Sequence, residues 1–170
     1  WSWSLAYTRS DATEVSPMTS STASSNYNIR AVFNPNEDVA STSNTEIKDR
    51  VVLAVAREFE FIPKFKTTIA AVYQGRSGHP YSWVFFGDAN GDGFSQNDLF
   101  YMPDGPNDSR VSWASTAERD AFFLFAQNNG LTKYAGKYTP RNSERSPWQQ
   151  TIDLKIAQQV PIWGKLRGEI

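Results

Sequence analysis

Hydrophobic and polar residues alternate with a period of two in several separate stretches of the chain. Such alternation places successive side chains on opposite faces of a β-strand. In the clearest stretch, Ile152 and Leu154 share one face while Asp153 and Lys155 share the other. The pattern predicts about five strands, each with one apolar face and one small or polar face. These strands are expected near 1–9, 50–61, 66–76, 149–160 and 165–170.

The connections between these strands fall into two length classes. Segments 61–65 and 161–164 are short, contain proline and predict tight turns. The connections near 10–49 and 77–148 are far longer than connections in compact domains usually are. If the strands run up and down, both turns lie at one end of the sheet and both long loops at the other. Outer-membrane barrels have this asymmetry, with short periplasmic turns and long extracellular loops.

The apolar face of such a sheet needs an apolar neighbour. In a soluble sandwich the neighbour is a second sheet, whereas in a membrane barrel it is lipid and the polar face lines the lumen. The strand pattern suits both, and the loop lengths favour the barrel. We therefore predict an all-β fold of antiparallel up-and-down strands, a partial transmembrane β-barrel with long extracellular loops. Residues 1–170 are interpreted as a fragment of one barrel domain, because the sequence opens on Trp1 without Met and stops at Ile170 in the middle of an alternating pattern.

One helix is predicted within the second long loop, near 116–128. Ser115 and Glu118 have the spacing of a capping box, in which each residue bonds a free N–H of the first helical turn. Apolar residues follow at helical spacing, and Gly130 provides a stop.

Composition excludes several classes of function. The chain has no cysteine, which rules out disulfides, thiolate metal sites and a cysteine nucleophile. A formal net charge of -1 provides no basic field for nucleic acid. Aromatic residues make up 14% of the chain, which suits the aromatic girdles of a barrel and also a sugar-binding sandwich. No apolar run is long enough to predict a membrane-spanning helix.

Residue types that perform catalysis are present without the partners they need. His79 is the only histidine, stands between Gly78 and Pro80, and is interpreted as a loop hydrogen-bonding residue. Glu58 and Glu60 lie on one strand face, whereas a glycosidase needs two carboxylates across a cleft. We therefore predict that the chain is not an enzyme and has no catalytic residues.

The segment 88–98 has the pattern of a calcium-binding loop. Oxygen-bearing side chains recur at alternate positions and a glycine then permits a sharp turn, which is how a loop wraps oxygens around Ca²⁺. An EF-hand would close with Glu at its twelfth position, where this chain has Leu99, so the alternative is a plain turn of Asx residues and glycine without metal. No other cofactor is expected. The candidate ligands are Asp88, Asn90, Asp92, the carbonyl of Phe94, and Asp98.

Five short motifs occur in a fixed order along nearly the whole chain. Together they resemble the C-terminal barrel region of TonB-dependent outer-membrane receptors, in particular the Oar-like group that carries a carboxypeptidase-regulatory-like domain. The motifs are Phe33-Asn34-Pro35-Asn36, Asp49-Arg50-Val51-Val52-Leu53, Gly75-Arg76-Ser77-Gly78-His79-Pro80-Tyr81-Ser82, the segment 87–93 with 97–103, and Pro140-Arg141-Asn142-Ser143 with Ser146-Pro147-Trp148.

The resemblance implies a location in the outer membrane of a Gram-negative cell, in a barrel of about 22 strands around a plug. It also implies lipid as a partner, a TonB-type energising complex that acts through a plug region outside this chain, and an unidentified substrate. Aromatic residues of the second loop would then line a substrate vestibule, although we favour packing of the loop against itself. These vestibule candidates are Tyr81, Trp83, Phe85, Phe86 and Trp113.

Two alternatives stay open at this point. One is a secreted, calcium-stabilised β-sandwich that binds glycans. The other is an outer-membrane adhesin barrel that transports nothing. Neither substrate identity nor oligomeric state follows from the residues.

Overall fold

The computed structural model describes residues 1–164 and 166–170, and strands dominate it. The helices are α1 (Ala23–Asn28) and α2 (Thr116–Asn128), followed by a 3₁₀ turn at Leu131–Tyr134. In chain order the strands are β1 (Ser2–Arg9), β2 (Thr13–Glu14), β3 (Ser41–Thr42), β4 (Asp49–Ile62), β5 (Phe65–Arg76), β6 (Pro80–Tyr81), β7 (Tyr101–Met102), β8 (Lys137–Tyr138), β9 (Glu144–Arg145), β10 (Gln149–Trp163) and β11 (Leu166–Glu169).

The five longer strands form one antiparallel sheet in the order β1-β4-β5-β10-β11. Each strand pairs with the next one of this set along the chain, so the predicted up-and-down arrangement of antiparallel strands is confirmed. Residue 165, where the fifth strand was expected to begin, lies outside the described residues, and β11 is described from Leu166.

The register aligns the apolar positions of neighbouring strands into continuous rows. Leu5 pairs with Leu53, Leu53 with Tyr73, and Tyr73 with Ile152. On the opposite face, Ser4 pairs with Ala54, Ala54 with Val72, and Val72 with Asp153. A slip of one residue in any pair would exchange the two faces of that strand. The two-faced character predicted from each strand alone is thus a property of the whole sheet.

The turn between β4 and β5 consists of Pro63 and Lys64, with Lys64 at a φ of 70°. Proline at the first central position and a positive φ at the second are features of a type II turn. The turn predicted at 161–164 was placed too early. Pro161 pairs with Arg167 and Trp163 with Leu166, so β10 continues through Trp163 and only then reverses near Gly164. A bulge between Pro161 and Trp163 accommodates the proline, which has no N–H to donate to a regular ladder.

The described contacts group the chain into two compact units. Unit 1 comprises Trp1–Asp11, Glu46–His79 and Ser146–Ile170, and it contains the five-stranded sheet. Unit 2 comprises Ala12–Thr45 and Pro80–Arg145, the greater part of both predicted long loops. All four strand ends that lead into those loops, at Arg9, Asp49, Arg76 and Gln149, lie at the same end of the sheet.

Unit 1 is a single layer of sheet with a bare apolar face. Among its described residues the only buried hydrophobic side chain is Ala157. Trp3 is 73% exposed and Leu154 is 77% exposed, although both lie within the sheet rather than at a loop tip. Soluble domains bury such a face against a second layer of secondary structure. Other exposed side chains of the same face are Trp1, Leu5, Tyr7, Ile152 and Ile156.

The opposite face of the sheet is small and polar, and it carries ion pairs. Lys155 Nζ lies 2.7 Å from a carboxylate oxygen of Glu169, and Lys66 Nζ lies 2.6 Å from one of Glu58. The Glu58 carboxylate is therefore paired with a lysine of the neighbouring strand.

Unit 2 has a core of its own. Met102, Ala126 and Leu131 are buried at its centre, and aromatic side chains pack around them. The predicted helix is confirmed as α2, and the Ser115 hydroxyl accepts a hydrogen bond from Glu118 N–H at 3.1 Å. The Glu118 carboxylate accepts from Ala114 N–H. In a regular capping box it would accept from Ser115 N–H, so the second hydrogen bond of the box is shifted by one residue toward the N-terminus. The surrounding aromatic residues are Trp83, Phe100, Phe122, Phe123 and Tyr134.

Candidate ligand-binding site in unit 2

A cavity of about 340 Å³ and a larger one of about 630 Å³ lie in unit 2. The larger cavity has the size of pockets that take small molecules. Its wall consists mainly of aromatic rings contributed by the first loop, by several segments of the second loop, and by α2 and β8. The rings that line it are Phe33, Phe85, Phe100, Tyr101, Trp113, Phe122 and Tyr138.

Ring-to-ring contacts hold this wall in place. Phe85 lies 4.9 Å from Phe100 between ring centroids, and Phe122 lies 5.1 Å from Trp113. Phe33 stacks on Tyr138 at 4.0 Å, which joins the first loop to β8. Such pairs add about 0.5–1.5 kcal/mol each beyond the area they bury. The cavity is therefore bounded by side chains that stabilise one another.

The structure separates the five vestibule candidates. Phe85 and Trp113 line the larger cavity. Trp83 packs on the core of unit 2, and Tyr81 lies edge-on to Trp83 with ring centroids 5.9 Å apart. Phe86 is 88% exposed.

A charged group stands at the rim of the larger cavity. The Arg110 guanidinium donates to both carboxylate oxygens of Asp108, from Nε at 2.9 Å and from Nη2 at 3.0 Å, and lies 4.7 Å above the Tyr101 ring. The Asp108 carboxylate also accepts from Tyr101 Oη and from Asp104 N–H. The hydrogen bonds from Arg110 and from these two groups hold the pKa of Asp108 well below its usual range. Arg110 is thus fixed as a cation beside the aromatic wall.

The segment 88–98 forms a tight turn whose side-chain oxygens bind its own backbone. The Asp88 carboxylate accepts from Gly91 N–H at 2.7 Å and from Gly93 N–H at 2.9 Å. Asn90 Oδ1 accepts from Asp92 N–H at 3.0 Å, and Asp92 Oδ1 accepts from Phe94 N–H at 2.9 Å. Gly91 and Gly93 have φ values of 76° and 89°, which explains the need for glycine at both positions.

The remaining predicted ligand, Asp98, is fully buried at the base of this turn. Its Oδ2 accepts from Ala89 N–H at 2.5 Å and from Asn90 N–H at 3.3 Å, while its Oδ1 is buried without a partner among the described residues. Within residues 1–164 and 166–170, no group of three or more His, Cys, Asp or Glu side chains is arranged to hold a metal ion. Calcium binding by Asp88, Asn90, Asp92, Phe94 and Asp98 therefore stays a prediction.

The turn is also anchored to the first loop. Asn90 Nδ2 donates to the Phe33 carbonyl at 3.0 Å, and the Tyr27 ring lies 4.9 Å from that of Phe94. Burial raises the pKa of Asp92, but hydrogen bonds from Phe94 N–H, Asn90 and Tyr27 outweigh it, so the net pKa lies below its usual range. Asp92 is consequently charged at neutral pH whether or not a metal is bound.

Sequence reasoning missed a buried arginine that ties the two loops together. Arg141 is only 7% exposed, and its guanidinium donates to the carbonyls of Glu14 and Val15 and to Ser41 Oγ. Beside it, Asn142 donates to the Thr42 carbonyl at 2.7 Å. These partners are about 100 or more positions away in the chain, so no local pattern could have connected them. The only signal was the Pro140-Arg141-Asn142 motif, which gave no partner.

No family model, curated protein or solved structure was found to match this chain. Among the described residues, no helix is long and apolar enough to cross a membrane.

Proposed function

We propose that this chain is part of the transmembrane barrel of a TonB-dependent outer-membrane receptor, which takes up an unidentified substrate. In this proposal the apolar face of the five-stranded sheet contacts lipid and the polar face lines the lumen. Unit 2 consists of extracellular loops that take part in substrate capture. The chain performs no catalysis and binds no nucleic acid, and its other partner is the energising complex, which acts through a plug outside this chain.

The bare apolar face of unit 1 is the observation that carries this proposal. Rows such as Leu5, Leu53, Tyr73 and Ile152 run across four strands with no second layer of described residues over them. Exposed apolar patches larger than a few hundred Å² are rare on soluble monomers and mark contact with another apolar surface. Lipid is the surface that suits a sheet with one apolar face and one small, ion-paired face.

The positions of the connections support the same proposal. The described turn at Pro63-Lys64 and the reversal near Gly164 lie at one end of the sheet, and both long insertions leave from the other. Five strands do not suffice to close a barrel of transporter size, and lipid does not tolerate open sheet edges. The proposal therefore requires further strands on both sides of this sheet.

Cysteine labelling in the intact protein tests the orientation of the sheet. Because this chain has no cysteine of its own, single substitutions along β10 introduce unique attachment sites within it. We expect a fluorophore on Leu154→Cys or Ile156→Cys to be quenched by brominated lipid. The same fluorophore on Asp153→Cys or Lys155→Cys should be quenched by aqueous iodide instead. Equal quenching at odd and even positions would contradict the proposal.

The two alternatives give different outcomes in simple experiments. A glycan-binding sandwich predicts recovery of the intact protein from the soluble periplasm or the medium, which would remove the barrel. An adhesin barrel predicts the same membrane location, but deletion of an upstream plug would leave its activity intact. Loss of uptake on that deletion would favour the receptor.

A further inference from the structure

We infer that the larger cavity of unit 2 binds a planar aromatic molecule that carries an acceptor or anionic group. This goes beyond the proposed function, because it concerns unit 2 alone and does not require the sheet to lie in a membrane. The cavity, of about 630 Å³, is the feature on which the inference rests.

The lining of the cavity sets the shape of the ligand. Phe85, Phe100 and Phe122 contribute rings that are neighbours of one another, at centroid distances of 4.9 Å and 6.0 Å. Aromatic surfaces bind another ring in offset-stacked or edge-to-face geometry. A flat aromatic ligand fits such a wall better than a flexible chain.

The charge of the residues that line the cavity indicates which polar group the ligand carries. Among the described residues that line the cavity, Arg110 is the only charged one, and none is acidic. Asp108 engages Nε and Nη2 of Arg110 and fixes the plane of the guanidinium, and Nη1 makes no hydrogen bond to the described residues. A ligand carboxylate can accept from that nitrogen, whereas a ligand ammonium would face a cation. The cavity should therefore prefer an aromatic acid to an aromatic amine.

The contacts of Arg110 also limit the conformational entropy that its side chain loses when a ligand binds. Arg110 is held by two residues: Asp108, which accepts from its guanidinium and, at 3.0 Å, from its backbone N–H, and the Tyr101 ring at 4.7 Å. A group that is ordered before the ligand arrives loses little entropy when the ligand binds. The guanidinium thus provides a fixed recognition point at the edge of an aromatic wall.

The experiment compares 2-naphthylacetate with 2-naphthylmethylamine by isothermal titration calorimetry. It uses the intact protein in the solution in which it purifies, with the same solution without protein as the blank. We expect the acid to bind about 10-fold more tightly than the amine, since a hydrogen bond to a charged group changes affinity by about that factor. No heat from the acid, or equal affinity for acid and amine, would overturn the inference.

Variants locate the binding site. Ser112→Trp fills the cavity from its exposed rim and should weaken binding of the acid at least about 10-fold. Phe86→Ala removes an exposed ring outside the cavity and should leave the affinity unchanged. Arg110→Met should abolish the preference for the acid, and Arg110→Lys should retain part of it. Loss of affinity in Phe86→Ala equal to that in Ser112→Trp would contradict the assignment.

A photoreactive naphthylacetate analogue keeps the inference testable if Ser112→Trp fails to fold. In the wild-type protein it should label peptides that contain Phe85, Trp113 or Phe122, and excess naphthylacetate should compete. Labelling confined to the strands of unit 1 would show partition into the apolar face and overturn the inference. Because the readout is local, this outcome is distinct from failure of the membrane proposal, which the cysteine labelling tests.

Discussion

The two units of this chain place their apolar side chains in opposite ways. Unit 2 hides Met102, Ala126 and Leu131 in a core, whereas unit 1 leaves side chains such as Trp3 and Leu154 bare on one face of a sheet. The hydrophobic effect in water explains unit 2 directly. Unit 1 leaves its apolar face without a covering layer of described residues, and under the membrane proposal that face would contact lipid. The comparison therefore contrasts a unit that buries its apolar side chains within itself with a unit that does not.

The largest predicted effect tests whether the apolar face of unit 1 lies in lipid or in water. Leu154→Arg places a charge on the apolar face of β10. In a membrane the substitution should cost about 2–4 kcal/mol of folding free energy, because arginine must leave water for hydrocarbon. At an exposed site in water it should change stability by no more than about 0.5 kcal/mol. Chemical denaturation of the protein refolded into liposomes measures the difference.

The matched control for this prediction lies on the other face of the sheet. Thr68 pairs with Glu58, so Thr68→Arg adds the same side chain next to a carboxylate. We expect it to be tolerated. An equal loss of stability in both variants would show that the two faces do not meet different environments.

The second prediction tests whether unit 2 depends on its buried arginine. Arg141→Met keeps the length of the side chain but leaves the carbonyls of Glu14 and Val15 without their donors. Hydrogen bonds to a charged group contribute about 1.5–3 kcal/mol, and we expect a destabilisation in that range. Hydrogen exchange should accelerate in residues 12–16 and 41–45 and remain unchanged in β5.

Arginine-to-lysine substitution sharpens the same comparison. Arg141→Lys retains the positive charge but lacks the planar fork that reaches three acceptors, so its effect should be intermediate. Full stability in Arg141→Met would mean that the bridge between the loops contributes nothing.

The third prediction concerns the start of α2. Ser115→Ala removes the hydroxyl that accepts from Glu118 N–H, and loss of such a cap costs about 1 kcal/mol. Thermal or chemical unfolding of unit 2 should shift accordingly. Ser112→Ala, three residues earlier and outside the helix, is the control and should have no comparable effect.

The smallest predicted effect is that of calcium. If the segment 88–98 binds Ca²⁺ with the affinity of extracellular modules, 1 mM Ca²⁺ should stabilise the protein by about 0.4–1.4 kcal/mol. Calorimetry should detect heat with the wild type and none with Asp92→Ala. Asp120→Ala, on the exposed surface of α2, should behave as the wild type. A wild type that releases or absorbs no heat on titration would leave the segment as a plain turn.

The strands and α2 could be predicted because their signals are local. Alternation such as Ile152-Asp153-Leu154-Lys155 specifies a two-faced strand without reference to any other segment. Ser115 and Glu118 are three residues apart and mark a helix start in the same local way. The turn at 161–164 was misplaced because Pro161 normally ends a strand, and only the partner strand shows that a bulge absorbs it.

The candidate site could be predicted only in part. Phe85 and Trp113 were selected as loop aromatics and do line the larger cavity, but nothing local distinguished them from Trp83 or Phe86. Arg110 was not selected at all. Its importance comes from its position beside Asp108 and Tyr101 and from the rings that the fold gathers around it.

The sequence by itself determined where the five longer strands lie, apart from the end of β10, which face of each is apolar, and where α2 begins. These properties follow from side-chain period and capping, which act over a few residues. Tertiary structure alone decided that the two long loops form one unit, that Arg141 joins them, and that seven aromatic rings line one cavity. Such features depend on contacts between residues far apart in the chain, for which neighbouring positions carry no pattern.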